Sequence, residues 1–132
     1  MKILKTFALA VALLAIASAA GCNKAGSTPT ETTKAFYNAA KNNDVQTMRS
    51  LMSKDTVAAM EKFAKAENKS LDDFLKDENK SDPPPDTLET RNEKIEGDKA
   101  TLEVKDKKSG WETLHFVKED GQWKLRGPGG AD

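Results

Sequence analysis

Three consecutive prolines, Pro83-Pro84-Pro85, split the chain into two halves with different periods. Proline lacks the amide proton that helices and ladders need, and its ring fixes φ. The tract is therefore an extended connector, neither helix nor central strand. Upstream of it apolar residues return every three or four positions, whereas downstream they alternate. A helical half followed by a sheet half predicts an α+β architecture, with N-terminal helices packed on a curved C-terminal antiparallel sheet of about four strands. The 132 residues leave room for one such domain.

The helical half is punctuated by start signals. Thr28-Pro29-Thr30-Glu31 offers a capping threonine, a proline suited to the first helical position and a glutamate to close a capping box. Phe36, Ala39 and Ala40 form the apolar stripe that follows. After Asn42-Asn43-Asp44 a second helix is expected, capped by Asn43 with Gln46 and burying Val45, Met48, Leu51 and Met52. Ser53-Lys54-Asp55-Thr56 restarts the chain into a third, with Val57, Met60, Phe63 and Ala64 as its stripe. Ser70-Leu71-Asp72-Asp73 caps a short fourth helix that buries Leu71, Phe74 and Leu75.

Turn chemistry registers the sheet half. Asp120-Gly121 is a two-residue hairpin signal, and pairing Glu119 with Gln122 sets Phe116 opposite Leu125 and Lys118 opposite Trp123. Leu114, Phe116, Trp123 and Leu125 then share the core face, while His115 and Arg126 oppose each other on the reverse face. The preceding strand adds Ala100, Leu102 and Val104, matched to Phe116, Leu114 and Glu112 through a Lys107-Lys108-Ser109 loop and Gly110. An edge strand is expected between Thr87 and Ile95, before the turn at Glu96-Gly97-Asp98. Leu88 and Ile95 have opposite parity, so this strand either contains a bulge or lets one end leave the sheet.

At the N-terminus, Lys2 and Lys5 precede an apolar run from Phe7 to Ala20. The run is shorter than the ~18–20 residues of a spanning helix, and small residues follow it, which is the pattern of a secretory signal peptide. Ala19-Ala20-Gly21-Cys22 resembles the bacterial lipobox, with Ala in place of the commoner Leu at its first position. The resemblance implies cleavage after Gly21 and acylation of Cys22, which ties the chain to a lipid bilayer; two or more acyl chains hold durably. A single cysteine also excludes an internal disulfide and any cysteine-built zinc site. Asn23, not Asp, follows the cysteine. By analogy with enterobacterial sorting, that favours the outer membrane where one exists, on its periplasmic or extracellular side. The expected partition is a signal peptide over 1–21, a lipidated cysteine and flexible tether over 22–27, one α+β domain over 28–126 and a disordered tail over 127–132. Within the domain, 28–76 is helical, 77–86 is connector and 87–126 is sheet.

Ala39-Ala40-Lys41-Asn42-Asn43-Asp44-Val45-Gln46-Thr47-Met48 is similar to a recurring stretch of nuclear transport factor 2-like domains, in which an alanine-rich first helix ends in a polar turn. The final segment, Glu119-Asp120-Gly121-Gln122-Trp123-Lys124-Leu125, looks like the last hairpin of the same superfamily. More closely, the chain resembles that superfamily's small bacterial lipoproteins of unknown function. The resemblance implies a cone-shaped sheet wrapped on helices, often with a pocket between them, and it implies no particular activity because the fold hosts enzymes and inert modules alike.

The chemistry-bearing residues are few. Lys and Arg number 21, as do Asp and Glu, and that balance argues against a nucleic-acid partner. His115, the only histidine, falls on the reverse face. Steroid isomerases of this fold carry a first-helix tyrosine as an oxyanion donor beside a carboxylic acid, which makes Tyr37 and Glu112 the candidate pocket or rim residues. Trp111, Thr113, His115 and Val117 share the reverse face and form a candidate interface. No catalytic residue, metal ligand or cofactor is assigned. The expected function is that of a membrane-anchored envelope lipoprotein whose domain binds, without chemistry, an apolar small ligand, a second copy or another envelope protein. The alternative is a pocket enzyme of the steroid-isomerase or polyketide-cyclase kind.

Overall fold

The computed structural model describes residues 24–127. The expected signal peptide over 1–21, its expected cleavage point after Gly21, Cys22 and residues 128–132 lie outside the described residues. Helix α1 (Pro29–Lys41) starts where the capping signal puts it, with Thr28 Oγ1 accepting from Glu31 N at 3.0 Å. The Glu31 carboxylate does not turn back to close a box; it accepts from Lys34 Nζ at 2.9 Å. Helix α2 (Val45–Leu51) is capped by Asp44, not by Asn43. Asp44 accepts from both the amide and the hydroxyl of Thr47, and these bonds, the hydroxyl first, hold its carboxyl below the usual carboxylate range. Asn43 instead takes φ 52°, a left-handed turn position that asparagine tolerates.

Helix α3 (Lys54–Ala66) is capped by Ser53 and helix α4 (Leu71–Ser81) by Ser70, both as expected. Helix α4 runs to Ser81, beyond the expected end at 76. Its polar last turns find partners: Asp77 pairs with Lys69 at 3.0 Å, and Asn79 donates to Ala40 O at 3.4 Å. Ala39, Ala40, Val45, Met48, Met52, Ala64, Leu71, Phe74 and Leu75 form the core between helices. Phe63 is a correction, being 60% exposed while Ala64 is only 1% exposed. Steps of three residues fall about 60° short of a full turn, so the series Val57, Met60, Phe63 walks off the face that Ala64 keeps.

The four strands β1 (Thr90–Glu96), β2 (Lys99–Asp106), β3 (Gly110–Glu119) and β4 (Gln122–Arg126) form one antiparallel meander in sequence order. Phe116 pairs with Leu125 and with Ala100, Leu102 with Leu114, and Val104 with Glu112, which is the expected register throughout. Asp120 (φ 50°) and Gly121 (φ 76°) both take the positive φ that a twist-matched two-residue hairpin requires. Strand β1 resolves its parity conflict with a bulge between Arg91 and Lys94, where Asn92 takes φ 54°. The bulge lets Glu93 accept from the amide of Thr30 at 2.9 Å, tying the edge strand to the start of α1. Ile95 pairs with Ala100 yet stays 51% exposed, and Leu88 lies half-buried before the strand.

Helix α1 crosses the sheet, touching β4, β2 and β1. Thr32, wholly buried, places its hydroxyl 3.0 Å from Trp123 O and 2.9 Å from Thr28 O. The outer edge of β4 is closed by short pieces of chain. Trp123 N donates to Gly26 O, Ser53 N donates to Leu125 O, and Gly127 N donates to Thr56 Oγ1, each at 2.8 Å. Residues 24–27 are thus fastened to the sheet where a free tether was expected, and Gly127 is held where a loose tail was expected. Gly26 takes φ 88°, and a Cβ there would sit 3.1 Å from Gln122 Cβ, so the close approach suits glycine alone.

Candidate functional site

The two faces of the sheet differ in chemistry. On the helix side Leu102 and Phe116 are each 1% exposed, with Ala100 and Trp123 beside them and Val104, Leu114 and Leu125 packed around. These positions carry no proton-transfer group. The side chains that alternate with them form the open face: Trp111, Thr113, His115 and Val117 along β3, flanked by the polar residues of β2, β1 and β4.

Tyr37 sits on α1, half-buried, and its hydroxyl donates to the carbonyl of Pro85. Lys41, one turn further on, donates to Asp86 O at 3.3 Å and lies 5.2 Å from the Tyr37 ring. The pair fastens the proline connector to the first helix. Glu112 is exposed near the start of β3, opposite Val104. Three open clefts are formed by described residues, and Tyr37 and Glu112 line none of these three. Among the described residues no hydrogen bond joins the two groups that an isomerase-like reading pairs: Tyr37 is bound to the connector, and the Glu112 side chain makes none.

Trp111 is 36% exposed, and the Arg91 guanidinium lies 3.9 Å from its ring centroid. Arg91 also pairs with Glu103 across the β1–β2 ladder, and Asn92 donates to the same carboxylate at 2.9 Å. These hydrogen bonds, Arg91 first, hold Glu103 below the usual carboxylate range. The candidate apolar interface is thus partly covered by a cation, a contact invisible in alternation alone because the β1 bulge sets where Arg91 falls.

Each cleft is lined chiefly by charged and polar side chains. One, of about 270 Å³, lies on the open face around Lys94, Thr101, His115 and Arg126. Another is bounded by Arg49, Glu61, Lys65, Lys69 and Asp72, where Arg49 and Asp72 pair at 3.2 Å. Among the described residues no group of three or more His, Cys, Asp or Glu side chains is arranged to hold a metal, and no helix is long and apolar enough to cross a membrane.

Helices gathered on one face of a four-stranded meander, with charged clefts on the outside, define a small one-sided α+β domain. The chain belongs to the family described as Domain of unknown function (DUF4878), whose pattern matches residues 20–126. A search of the curated proteins found no match.

Proposed function

We propose that this chain is an envelope lipoprotein, anchored to a bilayer through acylated Cys22, whose domain binds a ligand or partner without catalysing a reaction. The domain is read as a nuclear transport factor 2-like cone, supported by the order of helices then meander and by α1 lying across the sheet. One observation carries the non-catalytic part: the hydroxyl of Tyr37, the best-placed oxyanion donor in the sequence, is spent on the Pro85 carbonyl. Preorganised donors accelerate reactions only when aimed at developing charge, and a donor bound to a structural carbonyl is not so aimed.

The anchor has a geometric consequence. Four residue steps separate Cys22 from Gly26, whose carbonyl is bonded to Trp123, so Gly26 stands at most about 14 Å from the acylated residue and β4 about one strand spacing beyond it. Feeding cells a fatty-acid analogue tests the anchor: the wild-type chain takes up label, and Cys22→Ser remains an unlabelled precursor. Equal labelling of both chains would rule the anchor out. A broad isomerase, cyclase and hydrolase screen tests the rest, with no turnover expected. A turnover abolished by Tyr37→Phe or Glu112→Gln would replace this reading with a pocket enzyme.

A further inference from the structure

The cleft on the open face is built from one row of cross-strand neighbours. Lys94 pairs with Thr101, Thr101 with His115, and His115 with Arg126, so one residue from each strand points to the same side. Strands lie about 4.8 Å apart, so the row spans the whole sheet. Its outer members have long side chains and its inner members short ones, which makes the row concave, and the space above it measures about 270 Å³. Lys99 joins the lining from the next row, and Glu96 is the single carboxylate among the lining residues.

These groups have little other work. Lys94, Lys99, Thr101 and His115 make no side-chain hydrogen bond or close ion pair among the described residues, although Lys94 acts through space on Glu103. Arg126 already has a partner, so only its charge is asked of it. Elsewhere on the described surface Lys69, Lys105 and Lys108 pair with carboxylates, and Lys62, Lys76 and Lys107, which make no such pair, line none of the three clefts. A chain with equal numbers of acidic and basic residues therefore concentrates three cations, an imidazole and a hydroxyl around one concavity.

The geometry points to a binding site for a small soluble oxyanion, inorganic phosphate or a phosphomonoester, held across the open face by Lys94, Lys99, Thr101, His115 and Arg126. It deepens the non-catalytic binding reading by naming a ligand class, and it does not depend on acylation. A compact tetrahedral anion offers several acceptors at once, which suits donors from β1, β2 and β3 with the Arg126 charge beside them. The row carries donors and positive charge, with no nucleophile paired to a base, so it holds such an anion and does not transfer it.

His115 supplies the test, because its imidazole gives the only histidine ring signal in the chain. In the full chain at low ionic strength, titration with inorganic phosphate is expected to move that signal saturably, while chloride at equal ionic strength leaves it in place. Lys94→Gln with Lys99→Gln should weaken the phosphate affinity at least tenfold. Lys107→Gln with Lys108→Gln, at the far β2–β3 turn, removes the same charge and should change it less than twofold. An unmoved His115 signal, or equal weakening by both pairs, overturns the proposal. Phosphatidylglycerol vesicles, compared with phosphatidylcholine vesicles, form the second arm. A His115 response to the anionic vesicles and none to phosphate overturns the soluble-anion site in favour of a lipid headgroup. Concentration-dependent dimerisation that shields His115 overturns it in favour of a second copy. Acyl labelling at Cys22 is read separately, so failure of the anchor and failure of this site are distinguishable.

Discussion

The two faces of the sheet share the same strands and turns, yet they are held by different physics. Leu102, Phe116 and Trp123 on one face are buried and exclude water, while Thr101 and His115, the chain neighbours of the first two, stand with Arg126 on a face that no described helix covers. Burial stabilises in proportion to the apolar area removed from water, so the covered face carries most of the folding energy. The open face is left free to be selected for recognition, because substitutions there cost the fold little. The edges differ in the same way. Strand β4 is closed by Gly26, Ser53 and Thr56, whereas β1 is protected by its charges and a bulge.

The sharpest way to break this contrast is Phe116→Ala, which should destabilise the domain by about 3–5 kcal/mol in denaturant melts, since it empties a site with no room to collapse. A loss below about 1 kcal/mol would mean that the helices do not seal that face. Thr32→Val keeps the shape but removes the donor shared by Trp123 O and Thr28 O. It should cost about 1–3 kcal/mol, the range for orphaning a buried acceptor, and thermal melts compared with Thr32→Ser separate the hydroxyl from the packing.

A smaller effect belongs to the open face and depends on pH. Glu103 has its carboxyl lowered, chiefly by Arg91, so the stabilisation it supplies is complete above the ordinary carboxylate range and fades as pH falls through the lowered value. Glu103→Gln should therefore be less stable than wild type near neutrality and indistinguishable from it in strong acid; a gap that persists unchanged into acid would contradict the pairing. Smallest of all, His115→Ala should change stability by less than about 0.5 kcal/mol. If it matched Phe116→Ala in the same melts, the two faces would be exchanged.

Much of this architecture was legible before any coordinates. The Asp120-Gly121 turn and the alternation on either side of it fix the pairing of β3 with β4, because a period of two leaves one register that buries Phe116, Trp123 and Leu125 together. Three of the four helix starts were readable for a similar reason, since a capping side chain acts on an amide only two or three residues away. The second was misplaced by one position because Asn43 and Asp44 are both competent caps, and the choice fell to the residue whose carboxylate also reaches the Thr47 hydroxyl.

The candidate site divides along the same line. Sequence alternation placed Trp111, Thr113, His115 and Val117 on one face, but the partner of Trp111 depended on the β1 bulge, which moves Arg91 over the ring. Thr32 and Thr33 were missed as buried residues because polarity hid them, although their positions continue the helical spacing of Pro29, Phe36 and Ala40. The Lys94–Thr101–His115–Arg126 row was legible in three of its members, since the expected β2 register also sets Thr101 opposite His115; adding Lys94 required the bulged register of β1.

By itself, the sequence determined what local chemistry controls: where helices begin, where the chain turns, which residues of each strand share a face, and the division at Pro83-Pro84-Pro85. Only the tertiary structure decided where Tyr37 spends its hydroxyl, that residues 24–27 close the edge of β4, and that Lys94 and Lys99 stand together over the open face. The reason is range. Caps, turns and alternation act over a few residues, whereas Tyr37 and Pro85 or Gly26 and Trp123 meet, and Lys94 and Arg126 come to line one cleft, only after the whole sheet has closed on its helix.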